Sequence, residues 1–222
     1  MANKGGRGYI KRLNAPKYFA IHRKENKYVI RQNPGRHTLQ RSIALTLMMA
    51  KVGAGTRRSE YEKVIKDGNV KVNGNVVKEP KYPVGLNDMV SVGSENYSIN
   101  IDSRGHMTAN KADKATQVYK VIGKYKYRKN QMMLRLHDGR AVKAAKDANV
   151  NDSVVLAGSS VSKVMKLDSG SKCEVIEGVH VGKSGTVSEI RAGNMHKQKS
   201  VIVEPSNGQK FETLVKNIIV VG

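Results

Sequence analysis

Apolar residues recur along this chain with two different periods, and the point where the period changes divides it. From Thr38 to Gly53, Leu39, Ile43 and Leu47 stand four apart beside Leu45, Met48, Met49 and Val52. That spacing predicts a helix with Thr38 as N-cap, preceded by Pro34-Gly35 and ended by Gly53 and Gly55. A second helix follows, with Tyr61, Val64 and Ile65 as its apolar face and Gly68 as its left-handed stop. Ser59-x-x-Glu62 offers it a capping box, with Thr56 as a competing N-cap. Val70-Lys71-Val72 and Val76-Val77 then flank Asn73-Gly74, two residues that tolerate positive φ and predict a hairpin.

Beyond residue 95 the helical period fades and strand patterns replace it. Tyr97–Ile101, Gln117–Ile122, Gln131–Leu136, Asp152–Leu156 and Ser160–Leu167 read as short strands, with turns at Asp102–Gly105 and His137–Gly139. Ala141–Ala148 alone reads as a helical turn. In the last fifty residues, Cys173–Gly178, a glycine-rich stretch to Gly185 and Thr186–Ile190 read as strand, loop and strand. The stretch Phe211–Val221, with Leu214, Val215, Ile218 and Ile219, is expected to close this small β unit.

Neither period holds before about His37. Lys4, Arg7, Lys11, Arg12, Lys17, Arg23, Lys24, Lys27, Arg31 and Arg36 recur there among Gly, Asn and Pro. The reading is a basic extended arm over residues 1–37 that orders by laying its cations along phosphates. Tyr9, Ile10, Leu13, Tyr18, Phe19, Ile21, Tyr28, Val29 and Ile30 would be its docking points.

Charge adds a partner to this pattern. The 222 residues hold 40 Lys plus Arg against 18 Asp plus Glu, a net charge of +22. Such an excess calls for a polyanion, and nucleic acid is the preferred one over an anionic membrane surface. The charge is uneven: residues 1–51 hold 12 cations and one acid, 52–110 hold 8 and 7, 111–170 hold 13 and 5, and 171–222 hold 7 and 5.

Several chemistries are excluded. One cysteine, Cys173, permits no internal disulfide and no multi-cysteine zinc site, and the six histidines show no metal-ligand spacing. No metal and no cofactor is expected. The apolar run Ile43–Ala50 is far shorter than the roughly 20 residues that span a bilayer. Without a signal-peptide pattern either, the expectation is a soluble intracellular protein. Gly182-Lys183-Ser184 is not a P-loop, because the glycine required five positions before Gly182 is Glu177.

The candidate binding residues are cations. Arg57 and Arg58 stand at the start of the second helix, where the backbone N–H groups already make the potential positive. A phosphate accepting from those groups and both guanidinium groups would relieve that conflict, and Lys63 and Lys66 extend the patch. Lys124-Tyr125-Lys126-Tyr127-Arg128-Lys129 interleaves cations and aromatics. It can pair phosphates while its tyrosines stack on bases or sugars, or it is an exposed edge strand protected by lysines. Lys11, Arg12, Lys17, Arg36, Arg41, Lys71 and Lys183 complete the set. No catalytic constellation stands out.

Residues 56–92 resemble the RNA-binding S-four domain, or alpha-L motif. The resemblance lies in Arg57-Arg58, Val64-Ile65, Asp67-Gly68, the run Val70–Gly74, Pro80, and Leu86-Asn87-Asp88 with Val90. Gly178, Gly182, Lys183, Gly185 and Val187 resemble the KOW motif. Together with Lys11–Lys17, Asn151-Asp152-Ser153 and Lys166–Gly170, this order of parts is similar end to end to the eukaryotic- and archaeal-type small-subunit ribosomal protein four family. The resemblance implies an α+β chain of four parts: the arm to residue 37, an α/β-hairpin module over 38–95, a central β-rich domain over 96–168, and a small SH3-like KOW barrel over 169–222. It implies a non-enzymatic constituent of the cytoplasmic small ribosomal subunit. Its partners would be ribosomal RNA, held by phosphate contacts and shape, and neighbouring ribosomal proteins. The alternatives are a pseudouridine-synthase-like RNA-modifying protein and a KOW-containing transcription elongation factor.

Overall fold

The structure, a computed structural model, describes residues 8–53, 55–112, 117–128, 131–144, 147–158, 160–205 and 208–221. They cluster into two compact units. One holds the described residues up to 102 and from 106 to 112; the other holds the turn 103–105 and everything described from 117 onward. Both are built mainly of antiparallel sheet, with two short α-helices, both in the first unit. No helix among the described residues is long and apolar enough to cross a membrane.

The first unit begins with β1 (Tyr9–Lys11), which pairs antiparallel with β2 (Tyr28–Ile30). Between them, two 3-10 turns, Arg12–Asn14 and Lys17–Phe19, fold the chain back. Residues 8–37 are therefore not the extended arm that composition suggests. Ala15, Phe19, Val29 and Ile30 are buried, and Phe19 joins one core with Ile43, Leu45, Met48, Met49, Ile65 and Ile99. Fully burying a phenylalanine contributes about 1.5–3 kcal/mol, which helps offset the cost of ordering a polar, Gly-rich segment. Arg23 closes the fold by donating to the carbonyls of Leu13 and Ala15 at 3.1 and 3.2 Å. Apolar residues read as docking points for a partner are thus occupied within the chain.

The first predicted helix starts six residues late, with Ala44 rather than Thr38 before its first turn. Ser42–Ala44 form β3, paired with β6 (Pro83–Gly85) through Ile43 opposite Val84, and α1 runs from Leu45 to Val52. Thr38 caps nothing; its carbonyl accepts from the Arg41 N–H and the Ser42 hydroxyl. The N–H groups of Leu45 and Thr46 donate to the carbonyls of Tyr82 and Pro80. The turn leading into β6 thus supplies the partners that an earlier helix turn would have provided. Helix α2 (Arg58–Lys66) buries Tyr61 and Ile65. Asn73 and Gly74, at φ 50° and 83°, turn β4 (Val70–Val72) into β5 (Asn75–Val76) as the sequence predicts. With β7 (Met89–Val92), β8 (Glu95–Ile101) and β9 (Met107–Lys111), these make a five-stranded sheet in the order β5-β4-β7-β8-β9. This sheet runs without a break past residue 95.

A buried polar knot ties residue 37 to this unit. Asp88 accepts from the His37 Nε2 at 2.7 Å, from the Gly85 N–H at 2.9 Å and from the Asn73 amide at 2.7 Å. Burial pushes the Asp88 carboxyl up, but the hydrogen bonds and the His37 ring outweigh it and hold the group below the ordinary carboxylate value.

The second unit contains two five-stranded sheets. The first comprises β10 (Val118–Lys126), β11 (Met132–Leu136), β12 (Ala141–Lys143), β13 (Ser153–Ala157) and β14 (Ser160–Met165), ordered β12-β11-β10-β13-β14. Ala141–Lys143 is a strand, not the helical turn expected. Its exposed-buried-exposed alternation places Val142 opposite Leu134 in the core, where pairing overrides a local alanine-rich preference. The second sheet comprises β15 (Lys172–Val175), β16 (Ser184–Arg191), β17 (Ser200–Pro205), β18 (Phe211–Leu214) and β19 (Ile218–Val220), ordered β18-β17-β16-β15-β19. Gly185 is required by close approach, since a Cβ there would lie 2.4 Å from the Glu204 carbonyl oxygen. Val118, Met165, Ile219 and Val220 form one buried cluster from strands of both sheets. Lys120, also buried, donates to the carbonyls of Val215 and of Ile218, the latter at 2.7 Å.

Candidate nucleic-acid interface

Helix α2 carries the charge conflict that the sequence announces, and the chain itself supplies the anion. The Glu60 carboxylate accepts from the N–H groups of Thr56 and Arg57 at 2.9 and 3.2 Å, and from the Thr56 hydroxyl at 3.2 Å. Those backbone bonds depress the Glu60 carboxyl. The Ser59–Glu62 capping box does not form, because Arg57 is the N-cap and Ser59 already lies inside the helix; Glu62 pairs instead with Arg58, four residues before it, at 2.6 Å. Glu60, which the sequence pattern did not single out, stands three residues after Arg57, the spacing that lets a glutamate reach back to a helix start.

Arg58 is further engaged across the unit. Its guanidinium donates to the Tyr9 hydroxyl at 3.2 Å and lies 5.2 Å from the centre of the Tyr9 ring, with the Lys81 amine 5.5 Å from the same ring. Burial lowers the Arg58 pKa, but the bonds to Tyr9 and Glu62 outweigh it and keep the group charged. Lys81 had no sequence signal, since its place beside Tyr9 depends on strand β1 packing where it does. Arg57, Lys63, Lys66 and Lys71 are exposed. Ser59 shares that outward side of α2 with Lys63 and Lys66, away from the buried Tyr61 and Ile65.

The remaining first-unit cations divide. Lys11 and Lys17 are exposed, whereas Arg36 and Arg41 are half-buried. Arg12 is turned inward, with its side chain only 13% exposed and paired to Glu25 at 3.1 Å. Its Nε is a buried donor without a partner among the described residues.

In the second unit, Lys124, Tyr125, Lys126 and Arg128 are all exposed, but strand geometry separates them. Lys124 stands opposite Leu134 and donates to the Ala148 carbonyl at 3.0 Å, whereas Tyr125 stands opposite Met133 and Lys126 opposite Met132. Arg128 covers the Tyr127 ring at 5.9 Å. Lys129 lies outside the described residues. Lys183 stands apart on the second sheet's loop, 5.3 Å from the centre of the Phe211 ring and 3.4 Å from the His180 Nδ1. The candidates therefore form no single site. They make basic surfaces on each unit, and among the described residues no cluster of His, Cys, Asp and Glu suits a metal.

Comparison with known proteins assigns the chain's parts. The S4 domain model matches residues 46–90, the RS4NT domain model residues 4–40, and the model of the ribosomal family S4e residues 93–159. The small ribosomal subunit protein eS4 of Methanococcus vannielii is 31% identical over 237 residues, covering 100% of this chain and 97% of that protein. Its counterpart from Methanococcus aeolicus is 32% identical with the same coverage. Among solved structures, the 30S ribosomal protein S4e of Thermoplasma acidophilum superposes with a TM-score of 0.70 at 26% identity, covering 82% of this chain and 95% of that one.

Proposed function

Because the chain belongs to the eS4 family of small ribosomal subunit proteins, we propose that it is a structural, non-enzymatic constituent of the cytoplasmic small ribosomal subunit that binds ribosomal RNA. The observation that carries this is the match to the Methanococcus eS4 proteins, which spans 100% of this chain and 97% of theirs. Recognition is by phosphate contact and shape, since the deep, narrow major groove of an RNA duplex is closed to side chains. The exposed cations Lys11, Lys17, Arg57, Lys63, Lys66, Lys71, Lys126, Arg128 and Lys183 suit that role. In this reading the divisions 1–37, 38–95, 96–168 and 169–222 are divisions of RNA contact, with the last acting as a KOW-type barrel beside neighbouring ribosomal proteins.

Sedimentation of the purified chain with small subunits stripped of this protein tests the proposal. Binding should be stoichiometric and should weaken with salt by about 0.7–0.9 log units per log unit for each phosphate neutralised. Absence of binding, or binding that ignores salt, would overturn it.

A further inference from the structure

The β10–β11–β12 ribbon has two unlike faces. Alternation sends Leu134, Leu136 and Val142 into the core of the second unit. The opposite face carries Tyr125 across from Met133, Gly123 across from Arg135, Met133 across from Lys143, and Arg135 across from Ala141. Residues directly opposite on one face stand about 5 Å apart, so these side chains form one continuous outer surface. Tyr125 is 41% exposed and Tyr127 beyond it 53%. Arg135 and Lys143 are exposed and make no ion pair or side-chain hydrogen bond with the described residues.

Gly123 is the informative residue. Its φ lies outside the left-handed region, and a Cβ there would meet nothing nearer than the Arg135 Cβ at 4.0 Å. It stands at a register shift of β10, between Val121 and Gly123, a setting in which glycine is common, and it leaves the outer face open at this point. What it provides is a flat recess beside Tyr125, bordered by an unpaired guanidinium. A protein surface with exposed tyrosines, a flat gap and unpaired cations suits a planar ring attached to a phosphate.

We infer that this face is a stacking platform for unpaired RNA bases. Tyr125 and Tyr127 are the stacking surfaces, Gly123 provides the clearance, and Arg135 and Lys143 hold the flanking phosphates. This deepens the RNA-binding reading above and rests on it, but adds a base-dependent contact that phosphate recognition alone does not contain. Stacked duplex bases cannot use such a face, whereas splayed bases can, and stacking one base on an aromatic, at about 1.4 kcal/mol within its usual range, corresponds to about tenfold in affinity.

The test is fluorescence anisotropy of the full chain with labelled eight-residue RNA probes: octaadenylate, an abasic ribose-phosphate octamer of equal charge, and an eight-base-pair duplex. Octaadenylate should bind about tenfold more tightly than the abasic probe. The Tyr125→Leu/Tyr127→Leu double variant should erase that difference while leaving abasic and duplex affinities unchanged. Gly123→Val should do the same with an unaltered melting temperature, which separates lost clearance from lost folding. Equal binding of base-bearing and abasic probes by the wild-type chain would overturn the inference, as would a tyrosine effect shared by all three probes. A chain that fails this comparison yet still sediments with stripped small subunits removes the platform alone. One that fails both removes the ribosomal reading as well.

Discussion

Two sets of cations, one beside α2 in the first unit and one on the outer face of β10–β12 in the second, are held in opposite ways. Beside α2, the cations nearest the fold are paired within it: Arg58 is held by Glu62 and Tyr9, the helix start by Glu60, and Arg12 by Glu25, while Lys63 and Lys66 point outward. On the outer face of β10–β12, Arg135 and Lys143 have no such partners among the described residues. The residues in the first unit with the strongest sequence signal for phosphate binding are thus partly structural, while quieter cations in the second remain free. A cation already paired must give up that partner or share it before it can neutralise a phosphate, so density of charge in sequence is a poor guide to its availability.

That contrast is open to direct attack, and its most severe test lies in the first unit's internal polar groups. Asp88→Ala leaves the His37 ring, the Asn73 amide and the Gly85 N–H facing a vacated, buried space. We expect a loss of about 3–5 kcal/mol, as for breaking a buried pair from one side, read as a lower urea midpoint for the first unit's sheet in hydrogen exchange. Unchanged protection would show that the knot is not structural.

The same group sets a pH dependence. Since the folded state holds Asp88 below its ordinary value, the unfolded chain binds the proton more readily. Its stabilisation is therefore complete above the unfolded value of about 4 and is lost as pH falls through the depressed folded value. Acid unfolding of the first unit followed by circular dichroism should show this, and Asp88→Asn should flatten that part of the curve.

A smaller effect sharpens the other side of the comparison. Replacing Arg135 and Lys143 together by glutamine should reduce the salt slope of small-subunit binding by about 1.4–1.8, because each phosphate left without its cation removes about 0.7–0.9. The melting temperature should change little. The smallest change is expected from Arg58→Gln. An exposed i,i+4 pair contributes only about 0.3–0.5 kcal/mol, so stability should fall slightly, and RNA affinity should move less than for the Arg135 and Lys143 pair. If Arg58→Gln instead has the larger effect on RNA binding, the distinction between balanced and available cations fails.

Much of this chain was legible from the sequence because many of its decisions are local. Asn73-Gly74 specifies its turn by backbone sterics, and Tyr61 and Ile65 fix the buried side of α2 by helical spacing. Alternation marks β11 without help from elsewhere, and the order of motifs identifies the family. Other features depend on partners far along the chain. Ser42–Ala44 is a strand only because Pro83–Gly85 lies beside it, and the first residues fold back only because Phe19 finds a core to enter. Glu60 rather than Ser59 serves the start of α2 because the helix begins at Arg58, which puts Glu60 three residues after the N-cap and Ser59 inside the first turn. Tyr125 meets Met133, Arg135 and Lys143 through cross-strand register, which no single strand contains. Short-range sterics and periodicity thus determine which elements can form. Pairing, burial and competition for partners decide which form, and which charges remain free for RNA.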